Sequence, residues 1–204
     1  MSLTEAKRYI QDLHKKQENP YLWPDYLTGL PDKSAIIKKL EEIFPMLGKY
    51  SIAYVRIANI HPYLIKYGPD RHAEIIQWAA AVLKTTCEKS RGCFVGTLST
   101  HDFIIMCETK TMLKDIKDAC RLFTRKVGTY YSREDLGRKT TLSFKKNGAV
   151  VNIGLMRLVS VLVEKKPRFG KNLLINNMGR VCQELERTEG NIVVMSDDEI
   201  YPVA

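Results

Sequence analysis

Ser99-Thr100-His101-Asp102 sets two hydroxyls, an imidazole and a carboxylate in four consecutive residues. The apolar runs on either side, Cys93–Leu98 and Asp102–Glu108, read as two short strands, so the four fall at the tip of a hairpin. A carboxylate next to an imidazole could hold a cation, and imidazole suits zinc or copper better than magnesium. The same residue types also make ordinary turns. Asp102 can accept backbone N–H bonds there, and His101 can stand in solvent. The remaining histidines, His14, His61 and His72, are far apart on predicted helices and give a histidine metal cluster no support. Five cysteines, Cys87, Cys93, Cys107, Cys120 and Cys182, form no CxxC pair. They read as reduced, mostly buried thiols and not as a zinc site. Lys165, Lys166, Arg168 and Lys171 form a basic group that could hold phosphates, although a solvated loop before the last helix is the commoner use of such a run.

These residues need elements to hold them. Ile36, Ile37, Leu40 and Ile43 recur at helical spacing over Lys33–Phe44, and Tyr50–Ile60 is a β-branched and aromatic run that reads as a central strand. A helical segment follows, breaks near Tyr67-Gly68-Pro69-Asp70 and resumes over Arg71–Cys87. After the hairpin come an amphipathic helix over Met112–Tyr131 and a second hairpin marked by Asn147-Gly148. A final helix over Asn172–Arg187 and a strand at Asn191–Met195 complete the order. Helices alternating with hairpins imply an α+β, ferredoxin-like or palm-type architecture. Its centre is a mostly antiparallel five-stranded sheet flanked by helices. Residues 1–20 read as a helical lead-in or linker, and residues 21–204 as one domain.

The chain has 204 residues, 45% of them hydrophobic, which is enough for one domain with a sizeable core. Its formal net charge of +9 favours anionic partners and also serves ordinary solubility. Neither basic cluster interleaves aromatics with glycines as RNA-binding motifs do, so a nucleic-acid partner is not expected. No apolar run reaches the length of a membrane span. The charged N-terminus lacks the apolar core of a signal peptide, and a cytoplasmic location is expected. There is no Walker loop, no GxGxxG after a strand, no HExxH and no GxSxG.

Asp25-Tyr26-Leu27-Thr28-Gly29-Leu30-Pro31-Asp32 resembles the DxLTGLPN opening of GGDEF domains, the family of diguanylate cyclases. Val150-Val151-Asn152-Ile153-Gly154 is similar to a later strand of that family, and Leu185–Val194 imperfectly resembles its ending. The resemblance spans Asp25 to Val194 and implies a cytoplasmic bacterial signalling domain joined to an upstream sensor. It also implies a homodimer that condenses two GTP into cyclic di-GMP, with Mg²⁺ held by carboxylates.

On this register Ser99, Thr100, His101, Asp102 and Phe103 fill the five signature positions at the tip of a β-hairpin. Arg56 and Ala58 stand where metal-binding aspartates are expected, and Leu64 stands at the guanine-reading asparagine. Arginine cannot bind Mg²⁺, leucine offers guanine no hydrogen bond, and Ser99 and Thr100 add side chains where glycines admit the nucleotide. The positions of the inhibitory RxxD fall on Ser90 and Cys93, with Arg91 one place out of register. The resemblance therefore implies a degenerate member with no cofactor, acting as a regulatory or interaction module with a protein partner. A non-catalytic receptor for GTP or cyclic di-GMP is the first alternative. An active cyclase or related nucleotidyl transferase using Mg²⁺ is the second. Asp25, Leu27, Thr28, Gly29, Leu30, Pro31 and Asp32 are expected to be structural, making a tight turn and capping the next helix.

Overall fold

A computed structural model of the chain describes residues 25–90, 92–168 and 170–195. The lead-in expected over residues 1–20 lies outside these residues, as does Arg91. The described order is α1 (Lys33–Ile43), β1 (Tyr50–Ala58), α2 (Ile60–Tyr67), α3 (His72–Cys87), β2 (Phe94–Thr97), β3 (Asp102–Glu108), α4 (Thr109–Val127), α5 (Arg133–Arg138), β4 (Thr140–Lys146), β5 (Ala149–Gly154), β6 (Arg157–Val163), α6 (Lys171–Leu185) and β7 (Ile192–Val194). Five strands form one sheet in the order β2-β3-β1-β6-β7, antiparallel except for the parallel β6–β7 pair. The α+β class and the five-stranded sheet agree with the sequence reading. The Asn147-Gly148 hairpin, β4–β5, stands apart as its own two-stranded sheet. Both turn residues have positive φ, 51° and 82°, which the Asn-Gly pair tolerates.

Helices cover both faces of the sheet. Along β1, Ala53, Val55 and Ile57 face a core built with α3 and α4, where Ile75, Ile76, Leu83, Met112, Ile116 and Phe123 are buried. The alternate residues Ile52, Tyr54 and Ala58 face α1 and α6, with Ile36, Leu40, Leu174 and Met178. This alternation follows from the two-residue period of a strand. Because β1 is the middle strand, Ile52–Val55 are apolar on both its faces, and Arg56 is its first charged residue.

The segment from Asp25 to Asp32 is a clasp on the sheet edge. Asp25 Oδ1 accepts from the backbone N of Leu27 and Thr28 and from Thr28 Oγ1, at 3.1, 2.8 and 2.9 Å. Gly29 sits at φ 67°, where a side chain would be strained. Thr28 Oγ1 shares a 2.8 Å hydrogen bond with Thr97 Oγ1, and Thr97 N donates to Pro31 O at 2.8 Å. Leu30 is buried, and Asp32 caps α1 by accepting from Ala35 N at 3.0 Å.

The cysteines depart from the expectation of free thiols. Phe94 pairs with Met106 in the β2–β3 register, so Cys93 and Cys107 meet directly across the pair, with Cα atoms 4.4 Å apart, and form a disulfide. Cys87, Cys120 and Cys182 are free and buried. Burial pushes the Cys87 thiol up to about 12.

Gly96 is where α1 comes closest to β2: a Cβ there would lie 2.6 Å from Ile36 Cγ1, itself fully buried. Gly96→Ala should destabilise the domain by about 1–3 kcal/mol through overpacking. Thermal melting should show the midpoint falling by about 2–4 °C for each kcal/mol lost. Gly137→Ala, with nothing within 4 Å of its Cβ, serves as the control. A Gly96→Ala midpoint equal to wild type would contradict the close approach.

Candidate functional site

Arg56 and Asp102 are register partners across β1 and β3. Strand parity sends both side chains to the α1/α6 face, and cross-strand partners stand about 5 Å apart at Cβ. Arg56 Nε donates to Asp102 Oδ1 at 2.6 Å and Nη2 donates to Asp102 Oδ2 at 3.3 Å, so the guanidinium engages both carboxylate oxygens. Nη1 lies 3.6 Å from Glu186 Oε1, just past the end of α6. Nη2 also donates to Tyr54 Oη at 3.3 Å. The side chains of Arg56 and Asp102 are 21% and 13% exposed, so the pair is shielded from most of the solvent.

Burial opposes charge on Arg56, but the hydrogen bonds and negative charge of Asp102 outweigh it and hold its pKa above the usual value. Burial raises the Tyr54 hydroxyl in the same pocket. It also raises Glu186, with Arg56 pulling the other way.

A divalent cation does not fit this donor set. Mg²⁺ needs several hard oxygens in octahedral array. Ala58 supplies none and is buried, and Asp102 already gives both oxygens to Arg56. Where the resemblance implies a bound metal ion, the chain provides its own cation.

The tip holds its shape internally. Ser99 Oγ donates to Asp102 Oδ2 at 2.6 Å, and Leu98 N and Ser99 N donate to Asp102 O at 2.8 and 3.2 Å. Ser99 and Thr100 are exposed, while Phe103 is fully buried in the core. The Asp102 carboxylate thus serves Arg56 and Ser99 Oγ, where the sequence reading expected backbone N–H partners. Leu64 packs against the α3/α4 core. Ser90 Oγ donates to Asp115 Oδ2 at 2.6 Å, and Cys93 is disulfide-bonded, so both side chains have partners within the fold.

Two expectations about histidines need correction. His101 is half-buried instead of standing in solvent, and its carbonyl accepts from Ile57 N at 3.0 Å. Its ring meets His72, with Nε2 atoms 3.2 Å apart, and stands edge-on to His61 at 4.9 Å between centroids. Three histidines separated in sequence therefore converge, because the starts of α2 and α3 and the β2–β3 tip share one end of the sheet.

Arg56, His61, His101 and Asp102 line a cleft of about 1210 Å³ between the end of β1, the β4–β5 hairpin and the end of α6. Arg157, which the sequence reading did not single out, also lines it. Its guanidinium donates to the carbonyls of Leu185, Glu186, Thr188 and Gly190 and to Asn191 Oδ1, at 2.5–3.4 Å. It is spent on closing α6 toward β7. Among the described residues, Lys139 and Arg187 are cleft cations with no ion pair and, unlike Arg157, no such set of carbonyl partners. The basic group Lys165, Lys166, Arg168 and Lys171 lies elsewhere, past the opposite end of β6 from Arg157. Lys171 pairs with Glu41 at 2.7 Å, Lys166 lies over the Phe44 ring, and Lys165 and Arg168 are exposed.

Burial, followed by the neighbouring His61 and His72, pulls His101 down to about 4; Asp102 opposes this and Arg56 adds to it. An unfolded histidine titrates near about 6.5. The contribution of His101 to stability is therefore complete above about pH 6.5 and is lost as the pH falls toward about 4. Denaturant unfolding of chelator-treated protein should show stability declining across that window, and His101→Gln should flatten the decline. An unchanged profile in His101→Gln would contradict this.

No protein-family model matches the chain, and no curated protein matches it by sequence. Solved structures do match by shape. The coiled coil and GGDEF domain of DgcB from Caulobacter crescentus, in complex with c-di-GMP, is 13% identical, with a TM-score of 0.62 over 95% of this chain and 97% of that one. The diguanylate cyclase SiaD, in complex with its activator SiaC from Pseudomonas aeruginosa, is 12% identical, with a TM-score of 0.62 over 94% of this chain and 68% of that one. The FimX GGDEF domain from Pseudomonas aeruginosa is 12% identical, with a TM-score of 0.54 over 84% of this chain and 98% of that one. With its helix-flanked sheet, its β2–β3 hairpin and these likenesses, the chain has the GGDEF-domain fold.

Proposed function

We propose that this is a degenerate GGDEF-like domain, catalytically inactive, that works as a regulatory or interaction module in bacterial cyclic di-GMP signalling. The observation that carries the reading is Arg56, whose guanidinium occupies both oxygens of Asp102 and approaches Glu186. Phosphoryl transfer between nucleotides depends on cations that neutralise triphosphate charge and align the reacting oxygens. A fixed guanidinium paired to its own carboxylates contributes neither an open coordination position nor spare charge. Leu64 at the base-reading position would leave guanine's polar edge without a partner.

The preserved clasp at Asp25–Asp32 joins whatever precedes the domain to the sheet edge through Thr28 and Thr97. This supports a role in relaying a signal from an upstream domain or to a protein partner. SiaD, of similar fold, is found in complex with an activator protein, which gives a precedent for partner binding. Pairing of two such domains is a further expectation of the reading. Among the described residues no helix is long and apolar enough to cross a membrane.

One observation favours a second reading, a non-catalytic receptor for cyclic di-GMP or GTP. Lys139 and Arg187 face the cleft without ion pairs among the described residues, and DgcB is found in complex with c-di-GMP.

Isothermal titration with GTP plus Mg²⁺, followed by a turnover assay, tests the first reading. No magnesium-dependent heat and no cyclic di-GMP product are expected. Magnesium-dependent GTP binding or turnover would overturn it. Titration with cyclic di-GMP separates the two readings. Binding weakened about tenfold or more in Lys139→Ala and Arg187→Ala would establish the receptor, since each lost charge-assisted contact costs about 1.5–3 kcal/mol.

A further inference from the structure

We propose that His61, His72 and His101 form a binding site for a divalent transition-metal ion of the zinc type. Their three imidazoles come from separate elements. His61 lies in the first turn of α2, His72 opens α3, and His101 sits at the β2–β3 tip. The Nε2 atoms of His72 and His101 are 3.2 Å apart. Two nitrogens bound to one tetrahedral zinc at about 2.0–2.1 Å stand about 3.3–3.4 Å from each other, so this pair is set close to ligand spacing. The His61 ring stands at 81° to the His101 ring with centroids 4.9 Å apart, and the His72 and His101 centroids are 5.4 Å apart.

One N–H···N hydrogen bond can join His72 to His101, and protonating either ring places a charge against two neighbours. A shared metal ion uses the same lone pairs together, and the neutral imidazole is the form that ligates. His61 is exposed, so its ring is free to turn toward the pair. The carbonyl of His101 is fixed by Ile57 N and the amide of His72 by Pro69 O, at 3.0 and 2.9 Å, which holds two of the three ligands on rigid backbone.

The site adjoins the Arg56 pocket, since His61 and His101 line the same cleft as Arg56 and Asp102, but it uses different side chains. Residues 101 and 102 send their side chains to opposite sides of the hairpin, so His101 meets α2 and α3 while Asp102 meets Arg56. The Arg56 charge is answered by Asp102 and Glu186. Three imidazoles with a fourth position open to water match a common zinc arrangement. Oxygen-seeking Mg²⁺ would not select it. This proposal does not depend on whether the domain binds nucleotide.

The test uses the full chain, stripped with chelator and titrated with Co²⁺, whose visible spectrum reports coordination, then with Zn²⁺ in competition. One equivalent should bind with a tetrahedral or five-coordinate cobalt spectrum. His61→Gln, His72→Gln and His101→Gln should each weaken binding about 10–100-fold or more, as losing even an outer partner of a metal ligand costs that much. Their circular dichroism should remain that of wild type, and His14→Gln should bind normally. Absence of saturable Co²⁺ or Zn²⁺ binding would overturn the proposal, as would unchanged affinity in the three variants. So would a thiolate-to-cobalt charge-transfer band lost in Cys87→Ser. That band would place the ion in the Cys87–Cys93–Cys107 group, whose sulfur atoms lie within 4.8 Å of one another.

Discussion

A guanidinium enclosed by protein loses hydration, and only close pairing with carboxylates offsets that loss. Arg56 meets this condition with Asp102 across the strand pair and Glu186 at the end of α6. The one pair ties together three elements: the middle strand, the hairpin and the last helix. It fixes the hairpin tip as well, because Asp102 also accepts from Ser99 Oγ and thereby sets the turn that carries His101. With Asp102 engaged by Arg56, this end of the β1–β3 pair offers a metal ion no free carboxylate, and the other acid of β3, Glu108, lies at the far end of the strand. A scaffold whose resemblance implies an exchangeable cation has instead an unexchangeable one.

The rest of the domain is arranged around that end of the sheet. Arg157, one strand away, spends its donors on the carbonyls that follow α6, which holds Glu186 within reach of Arg56. Asp25, Thr28 and Asp32 do equivalent work at the other margin, where they pin the incoming chain to β2 and cap α1. Charges and hydroxyls that the sequence leaves open to a ligand are in both places consumed by the fold. The imidazole group is the exception, since the rings of His61 and His72 both meet His101 at the open end of the sheet.

Much of this architecture was legible in the sequence because periodicity reports local structure. The α1 stripe apart from Ile37, which is exposed, the β-branched run of β1, the Asn147-Gly148 turn and the order of elements apart from α5 follow from short-range rules. Arg56 and Asp102 could be named as substituted site positions, but their pairing required the β1–β3 register, which no local pattern specifies. The histidine group was illegible for the same reason: His61, His72 and His101 meet only when two helix starts and a hairpin tip are folded to one end. Cys93 and Cys107, 14 residues apart, are likewise paired by strand register, against a reading based on cysteine count and spacing. The basic group at Lys165–Lys171 could be named from charge density alone, but its place past the opposite end of β6 from Arg157 is set by the fold.

The most direct test of an internal cation standing in for a metal ion is the thermal midpoint of Arg56→Asp, measured with and without Mg²⁺ beside wild type. Removing one partner of a shielded pair costs about 3–5 kcal/mol. The variant should therefore melt about 10 °C lower, at roughly 2–4 °C per kcal/mol, and recover part of that loss when Mg²⁺ is added to its crowded carboxylates. Wild type should be indifferent to Mg²⁺. A wild-type midpoint that rises with Mg²⁺, or an Arg56→Asp midpoint equal to wild type without it, would contradict the account.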